Sequence, residues 1–272
     1  MLREETLELA KRYGISLAPE WDEQQLVNPE VIELLIDTAN VGEADTILEI
    51  GAGCGNITMA LAQKAGKVVA VEKNGKFIQL LRDRTSKLEN ATIIEGDALT
   101  MRLPKFTKIV SNLPYSICEA MTHRLIWHSF SKAALVVSSS YADKVTANEE
   151  DEGYSRLSFL ASTFYSIEKL REVEPENYEP PPSSKTAIII LEPRVDEGGV
   201  SLILRSVLWQ EDKKLRNALR EAYISTAHLN DGPKTKREAR KLIDEKGLKE
   251  ALLDKRVRVL TLEELRMIAE RL

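Results

Sequence analysis

TILEIGAGCGNITMALAQ, residues 46–63, decides the fold of this chain. An apolar, β-branched run stops at Glu49-Ile50, glycines follow at 51, 53 and 55, and an apolar pattern of helical period begins near Asn56. A strand that turns through glycines directly into a helix opens a βα unit, since residues without a Cβ turn sharply and let the backbone close on a ligand. Outward from it, short apolar runs recur at KVVAVE (67–72), ATIIEG (91–96), KIVSN (108–112) and AALVVSS (133–139). Helix-patterned stretches such as ITMALAQKA and KFIQLLRDRTSKLE lie between them. That alternation predicts an α/β fold, a Rossmann-like doubly wound and mostly parallel sheet whose strands are covered on both faces. TAIIILEP (186–193) follows the proline cluster of YEPPPSSK (178–185), where a helix cannot continue, and is expected to pair antiparallel near the sheet edge.

After Gly198-Gly199 the texture becomes helical and basic. Two domains are therefore expected: residues 1–197, of which 1–45 supply N-terminal helices and a segment leading into the ligand site, and residues 198–272, a smaller α-helical domain. Near its end Thr261 and Glu264 have the spacing of a capping box. The whole chain of 272 residues carries a net charge of −5, which alone argues against a nucleic-acid partner. Residues 205–258, however, hold 15 Lys and Arg against 9 Asp and Glu, and local charge is what phosphates feel within a Debye length of about 10 Å. With 43% apolar and 30% charged residues and no long uncharged apolar run, the composition is that of a globular protein, and no membrane partner is expected. The start, MLREETLELAKRYG, reads as an amphipathic helix, and there are two cysteines, so a cytoplasmic setting is expected. The three histidines and two cysteines show no metal-ligand spacing, and no metal is expected.

Four motifs carry chemistry. The glycine loop, with Glu49 two positions before Gly51, is spaced G-x-G-x-G rather than as the dinucleotide fingerprint G-x-G-x-x-G. Glu72 closes the second strand, where a carboxylate can accept both hydroxyls of a ribose diol; taken alone it reads as a solvated strand end. Asp97, in EGDAL (95–99), follows the third strand with Ala98, and can accept from an amino group or cap a turn. Asn112-Leu113-Pro114-Tyr115, within SNLPYSIC (111–118), ends the fourth. It reads as a turn with a packed tyrosine, or as two acceptors for an amine beside one ring for a base.

Together, E-I-G-A-G-C-G, Glu72, Asp97 and N-L-P-Y resemble class I methyltransferases that use S-adenosylmethionine (SAM), and the N-L-P-Y form is similar to the KsgA-type rRNA adenine N6-dimethyltransferase family, which includes the erythromycin-resistance methylases. QQLVNPEV (24–31), GYSRLSF (153–159), YEPPPSSKTAIIILEPR (178–194) and KKLRNALR (213–220) extend the resemblance over roughly 20–225. The resemblance implies SAM as cofactor, held by Gln24, Leu26, Glu49, Gly51, Gly53, Gly55, Glu72, Asp97, Ala98 and Asn112. It implies catalysis by Asn112, the Leu113 carbonyl, Pro114 and Tyr115. Tyr115 and Tyr178 would stack on the target base, and Lys213, Lys214, Arg216 and Arg220 would meet RNA. The implied activity is dimethylation of adenine N6 in small-subunit rRNA by a monomer during ribosome biogenesis. The chain departs from the family in its G-A-G-C-G loop, in Gln25 where an aromatic is usual, and in Ser138-Ser139-Ser140 where Q-K-E is usual. The serine run favours an alternative, a paralogue methylating another nucleic acid or a protein amide; a ribosome-assembly factor with dispensable methylation is a second.

Overall fold

The structure, a computed structural model, describes residues 1–18, 22–194, 200–230 and 232–272, with backbone alone at 228–230. It divides into two units, Met1–Gly153 with Tyr165–Pro193, and Tyr154–Phe164 with Arg194–Leu272. The expected boundary at 197/198 lies outside the described residues.

In chain order the first unit contains α1 (Leu2–Arg12), β1 (Gln25–Leu26), α2 (Pro29–Thr38), β2 (Thr46–Ile50), α3 (Asn56–Leu61), β3 (Lys67–Glu72), α4 (Gly75–Thr85), β4 (Ala91–Glu95), β5 (Lys108–Asn112), α5 (Cys118–Leu125), β6 (Lys132–Ser138) and α6 (Ser139–Thr146). The second unit's α7 (Arg156–Phe164) intervenes before β7 (Tyr165–Val173), β8 (Tyr178–Glu179) and β9 (Thr186–Pro193). Seven strands form one sheet in the order β4-β3-β2-β5-β6-β9-β7. The first five are parallel, β9 runs antiparallel to β6 and β7 antiparallel to β9. The doubly wound sheet expected from the sequence is thus present, with an antiparallel pair at one edge.

The chain leaves β2 towards β3 and β4, then returns to place β5 on the other side of β2. In such sheets ligands bind at that reversal, over the carboxyl ends of the strands. Here β2 and β5 pair only at Ile47 with Lys108 and Leu48 with Ile109, so the strands part before their ends. Buried Ser111 bridges the gap: its hydroxyl donates to the Ile50 carbonyl at 2.5 Å and accepts from the Ile50 N–H at 3.3 Å. On one face Leu35, Ile36, Ile47, Val110, Val136 and Ile188 form the core; another cluster packs Ala70 against Phe77, Leu80 and Leu81 of α4. Asn74 starts α4 as its cap, its side-chain oxygen accepting from the Lys76 N–H at 3.1 Å.

Strand β7 has no counterpart among the apolar runs of the sequence, because YSIEKLREV carries a charge at nearly every other position. As the sheet edge it needs no apolar cover on both faces, and a bulge between Lys169 and Arg171 breaks its alternation. In the second unit α7 accompanies α8 (Val200–Leu208), α9 (Leu215–Asn230), α10 (Lys236–Glu245), α11 (Glu250–Leu253) and α12 (Leu262–Arg271). Leu215, Ala218, Leu219 and Ala222 are buried, the helical spacing of one α9 face. The Thr261 hydroxyl accepts from the Glu264 N–H at 3.3 Å and the Glu264 carboxylate from the Thr261 N–H at 3.0 Å, the capping box expected there.

Candidate active site

A cavity of about 980 Å³ opens over the carboxyl ends of β2, β3 and β5. Its wall includes Gln24, Leu26, Gly51, Gly53, Glu72, Asp97, Ala98, Asn112 and Pro114, so residues far apart in sequence converge as the strand ends dictate. The size suits a ligand of several hundred daltons.

Glu72 organises the loops around it. One carboxylate oxygen accepts from the Gly53 N–H at 2.9 Å and the other from the Asn74 N–H at 2.8 Å. Each oxygen keeps a second lone-pair direction for a hydroxyl. Burial raises its pKa, while these backbone donors work against the rise. Asp97 accepts from the Lys73 ammonium at 2.9 Å and from the Leu99 N–H at 2.8 Å, and the Lys73 bond holds its carboxyl below the ordinary range. The Leu99 bond is the local turn anticipated for Asp97, and the side chain also lines the cavity.

Gly51 has φ +74°, and a Cβ there would lie 2.9 Å from Cγ of Pro114. At Gly53 (φ +53°) the space of a Cβ is taken by the Gln25 side chain, whose oxygen accepts from the Cys54 N–H at 2.8 Å. Gln25, noted only as a missing aromatic, is thus the side chain that rides on the glycine loop. Nothing local in the sequence singles it out, since it follows the polar run Asp22-Glu23-Gln24. Asp22, Glu23, Asn74, Ser116 and Ile117 also line the cavity and carry no motif of their own.

Asn112 sits at the mouth of the crevice. Its amide nitrogen donates to the Gln24 carbonyl at 3.2 Å, which fixes the orientation of the side chain. Its amide oxygen is shielded from solvent and accepts no hydrogen bond among the described residues. An unmet buried acceptor costs about 1–3 kcal/mol, so it marks a place where a ligand donor is wanted. Tyr115 opens a 3-10 turn, Tyr115–Ile117, half-buried and with its phenol pushed well above the ordinary range by burial and by the neighbouring Tyr178 and Asp22. Leu113 is buried and donates its N–H to the Val136 carbonyl at 3.0 Å.

Leu113 and Tyr115 are not in the cavity wall, the Tyr115 hydroxyl being buried with no hydrogen bond among the described residues, and three further expected residues also lie elsewhere than the sequence suggested. Glu49 is buried beneath the loop rather than in the cavity wall, its carboxyl 2.6 Å from the Thr58 hydroxyl. Desolvation, the largest cause, pushes its pKa up to about 8. Gly55 (φ +83°) caps α3 and faces Leu81. Tyr178 is fully buried in the core with Leu26, Val110 and Ile188, and its hydroxyl pairs with that of Thr186 at 2.7 Å, so no ring face is offered to a base. Its place beside the proline cluster could not reveal that β8 pairs with β1 and carries the ring inward.

The serine run has a structural use: Ser138 caps α6 through the Tyr141 N–H at 3.3 Å, and Ser139 accepts from the Lys169 ammonium at 3.1 Å. The same ammonium is paired with Asp143 at 2.7 Å and Glu172 at 3.3 Å. In the second unit, Lys213 pairs with Glu221, Lys214 with Asp254 at 3.3 Å, Arg216 with Glu250, and Arg220 approaches Glu221 at 3.9 Å. Exposed Lys236, Arg237 and Arg240 on α10 have no ion pair among the described residues. No cluster of three or more metal-ligating side chains occurs among the described residues. No helix described is long and apolar enough to cross a membrane.

The profile of a family described as "Ribosomal RNA adenine dimethylase" matches residues 17–242. A probable ribosomal RNA small subunit methyltransferase A of Methanosarcina barkeri is 34% identical over 267 residues, covering 96% of this chain and 89% of its own. One of the same description from Methanococcoides burtonii is 34% identical over 243 residues, covering 87% and 88%. Among solved structures, a dimethyladenosine transferase from Plasmodium falciparum superposes with a TM-score of 0.61 at 26% identity, covering 89% of this chain and 94% of that one.

Proposed function

The chain belongs to the ribosomal RNA adenine dimethylase family, and from that premise we propose that it transfers methyl groups from SAM to adenine N6 in small-subunit rRNA, with the cavity at the β2/β5 reversal as its active site. The observation that carries this reading is the buried oxygen of Asn112, without a partner among the described residues, on a side chain oriented by the Gln24 carbonyl. The residues present fit SAM: Glu72 keeps acceptor capacity that would suit the ribose hydroxyls, Asp97 and Ala98 would stand by the adenine, and Gln24, Leu26, Gly51 and Gly53 line the remaining wall. When bound, SAM supplies an electrophilic methyl on a sulfonium.

Adenine N6 is a weak nucleophile because its lone pair is delocalised into the ring. Asn112 Oδ1 and the Leu113 carbonyl would accept the two amine hydrogens, freeing the lone pair to face the methyl. Pro114 keeps this loop rigid, and Tyr115 would stack on an unstacked base, a contact worth about 1–3 kcal/mol. Once methylated, the amine would lose its extra proton to solvent. A monomer in the cytoplasm fits this role, and both cysteines are buried and free.

The direct test is transfer of tritiated methyl from SAM to small ribosomal subunits lacking the modification, to naked rRNA and to DNA in parallel, followed by nucleoside analysis. Label in N6-methylated adenosine of the subunit rRNA is expected; label confined to DNA or protein would refute the reading. Glu72→Ala is expected to weaken SAM binding roughly tenfold or more by calorimetry, since it removes the ribose acceptor and frees the Gly53 loop. Unchanged affinity would remove the ribose assignment.

For RNA contact, a cation already holding a carboxylate must give up that partner. Charge reversal of Lys236, Arg237 and Arg240 is therefore expected to reduce RNA affinity and its salt slope more than reversal of Lys213, Lys214 and Arg216. Titrations at several salt concentrations check this, and an unaltered slope in the first triple variant would return α10 to a solvated face.

A further inference from the structure

We infer that the segment Asp22–Leu26 is a strap joining the cofactor cavity to the target-base loop, and that Asp22 is a positioning residue for methyl transfer. Five consecutive residues touch the ends of three strands. The Asp22 carboxylate accepts from the Ser116 N–H at 3.0 Å, inside the turn that Tyr115 begins. The Gln24 carbonyl accepts from the Asn112 amide. Gln25 holds the Cys54 N–H and donates to the Glu23 carbonyl at 2.8 Å, while the Glu23 carboxylate accepts from the Asn74 side chain at 2.8 Å. The Leu26 carbonyl accepts from the Asn56 amide at 2.9 Å. Asp22 to Leu26 all line the cavity.

Asp22 adopts φ +58°, a left-handed conformation that few side chains tolerate and Asp is among those that do. That twist aims its carboxylate at the Ser116 N–H. The first N–H groups of a helical turn have no partner within the turn, so this acceptor satisfies one and fixes the turn in place. With the turn goes Tyr115, whose ring must meet the base at a set height above the amine held by Asn112. The same segment holds the Cys54 N–H of the glycine loop and the side chain of Asn74, whose N–H donates to Glu72, so cavity wall and base platform share one support. Misplacement by about 1 Å can cost a hundredfold in rate, which is why a clamp that never touches the reactants matters.

The inference rests on Asn112–Tyr115 being the target-base loop, and the experiment separates the two. Asp22→Ala and Asp22→Asn are compared with wild type for SAM affinity, for kcat and KM in transfer to unmodified small subunits, and for amide exchange at Ser116. Asp22→Ala should keep SAM affinity within about twofold, lower kcat roughly tenfold and lose Ser116 protection. Asp22→Asn retains an acceptor oxygen and should restore most of both. Wild-type kcat in Asp22→Ala, equal loss of SAM binding and transfer, or no rescue by Asp22→Asn would overturn the positioning role. A wild-type protein without transfer would refute the substrate reading instead. Ser116 exchange needs no substrate and would still decide the strap: unchanged protection in Asp22→Ala overturns it.

Discussion

Asn112→Ala is expected to lower methyl transfer by about 10² to 10³ while leaving SAM affinity within about twofold, as when a single preorganised acceptor or donor is deleted from a reaction centre. The oxygen lost has no partner among the described residues, so the variant strands nothing on the acceptor side. It does free the Gln24 carbonyl, which lines an open cavity and can turn to water. Asn112→Asp keeps an acceptor but replaces the amide's donor with an oxygen facing that carbonyl; it should fall between wild type and alanine. Single-turnover transfer with SAM affinity measured on the same preparation checks the pair. Wild-type rates in Asn112→Ala would show that the amine is oriented by other groups.

The second large effect concerns stability. Glu49 has a folded pKa of about 8, against about 4.3 for an unfolded glutamate, so between those values the folded chain keeps a proton that the unfolded chain has released. Stability contributed by that proton is complete below the unfolded pKa and is lost as pH rises through the folded one, at about 1.4 kcal/mol per pH unit. Glu49→Gln stays neutral, keeps an oxygen for the Thr58 hydroxyl and removes this dependence. Thermal unfolding should therefore show the variant gaining on wild type from pH 5 to pH 8. Parallel profiles would mean that Glu49 is ionised and held by groups other than Thr58.

The parallel half of the sheet was legible because buried strands are apolar throughout, and TILEI, KVVAVE and KIVSN announce themselves. Edge strand β7 was not: half its residues face water, and its pattern resembles a solvated helix or loop as much as a strand. Short β1 and β8 are defined only by pairing with each other across more than a hundred residues, which no local pattern encodes. Within the site, Gly51, Gly53, Glu72 and Asn112 were legible as residues that strand ends bring to one cavity. The strap was not, because Asp22 and Gln25 act through partners supplied by distant loops. Tyr178 and Glu49 show the converse, since a motif fixes where a residue sits in the chain but not which way its side chain turns. The same holds for the basic segment, where the sum of charges was visible and the pairing that neutralises Lys213 and Arg216 was not.

The contact between Gly51 and Pro114 has a consequence for how the enzyme can vary. A hydrogen stands at position 51 because the Pro114 ring fills the place of any larger substituent, 2.9 Å from where a carbon would be. The glycine loop after β2 and the turn after β5 are thus parts of one wall, packed with no room between them. A side chain at position 51 would have to displace the Pro114 ring, so the two motifs can vary only together.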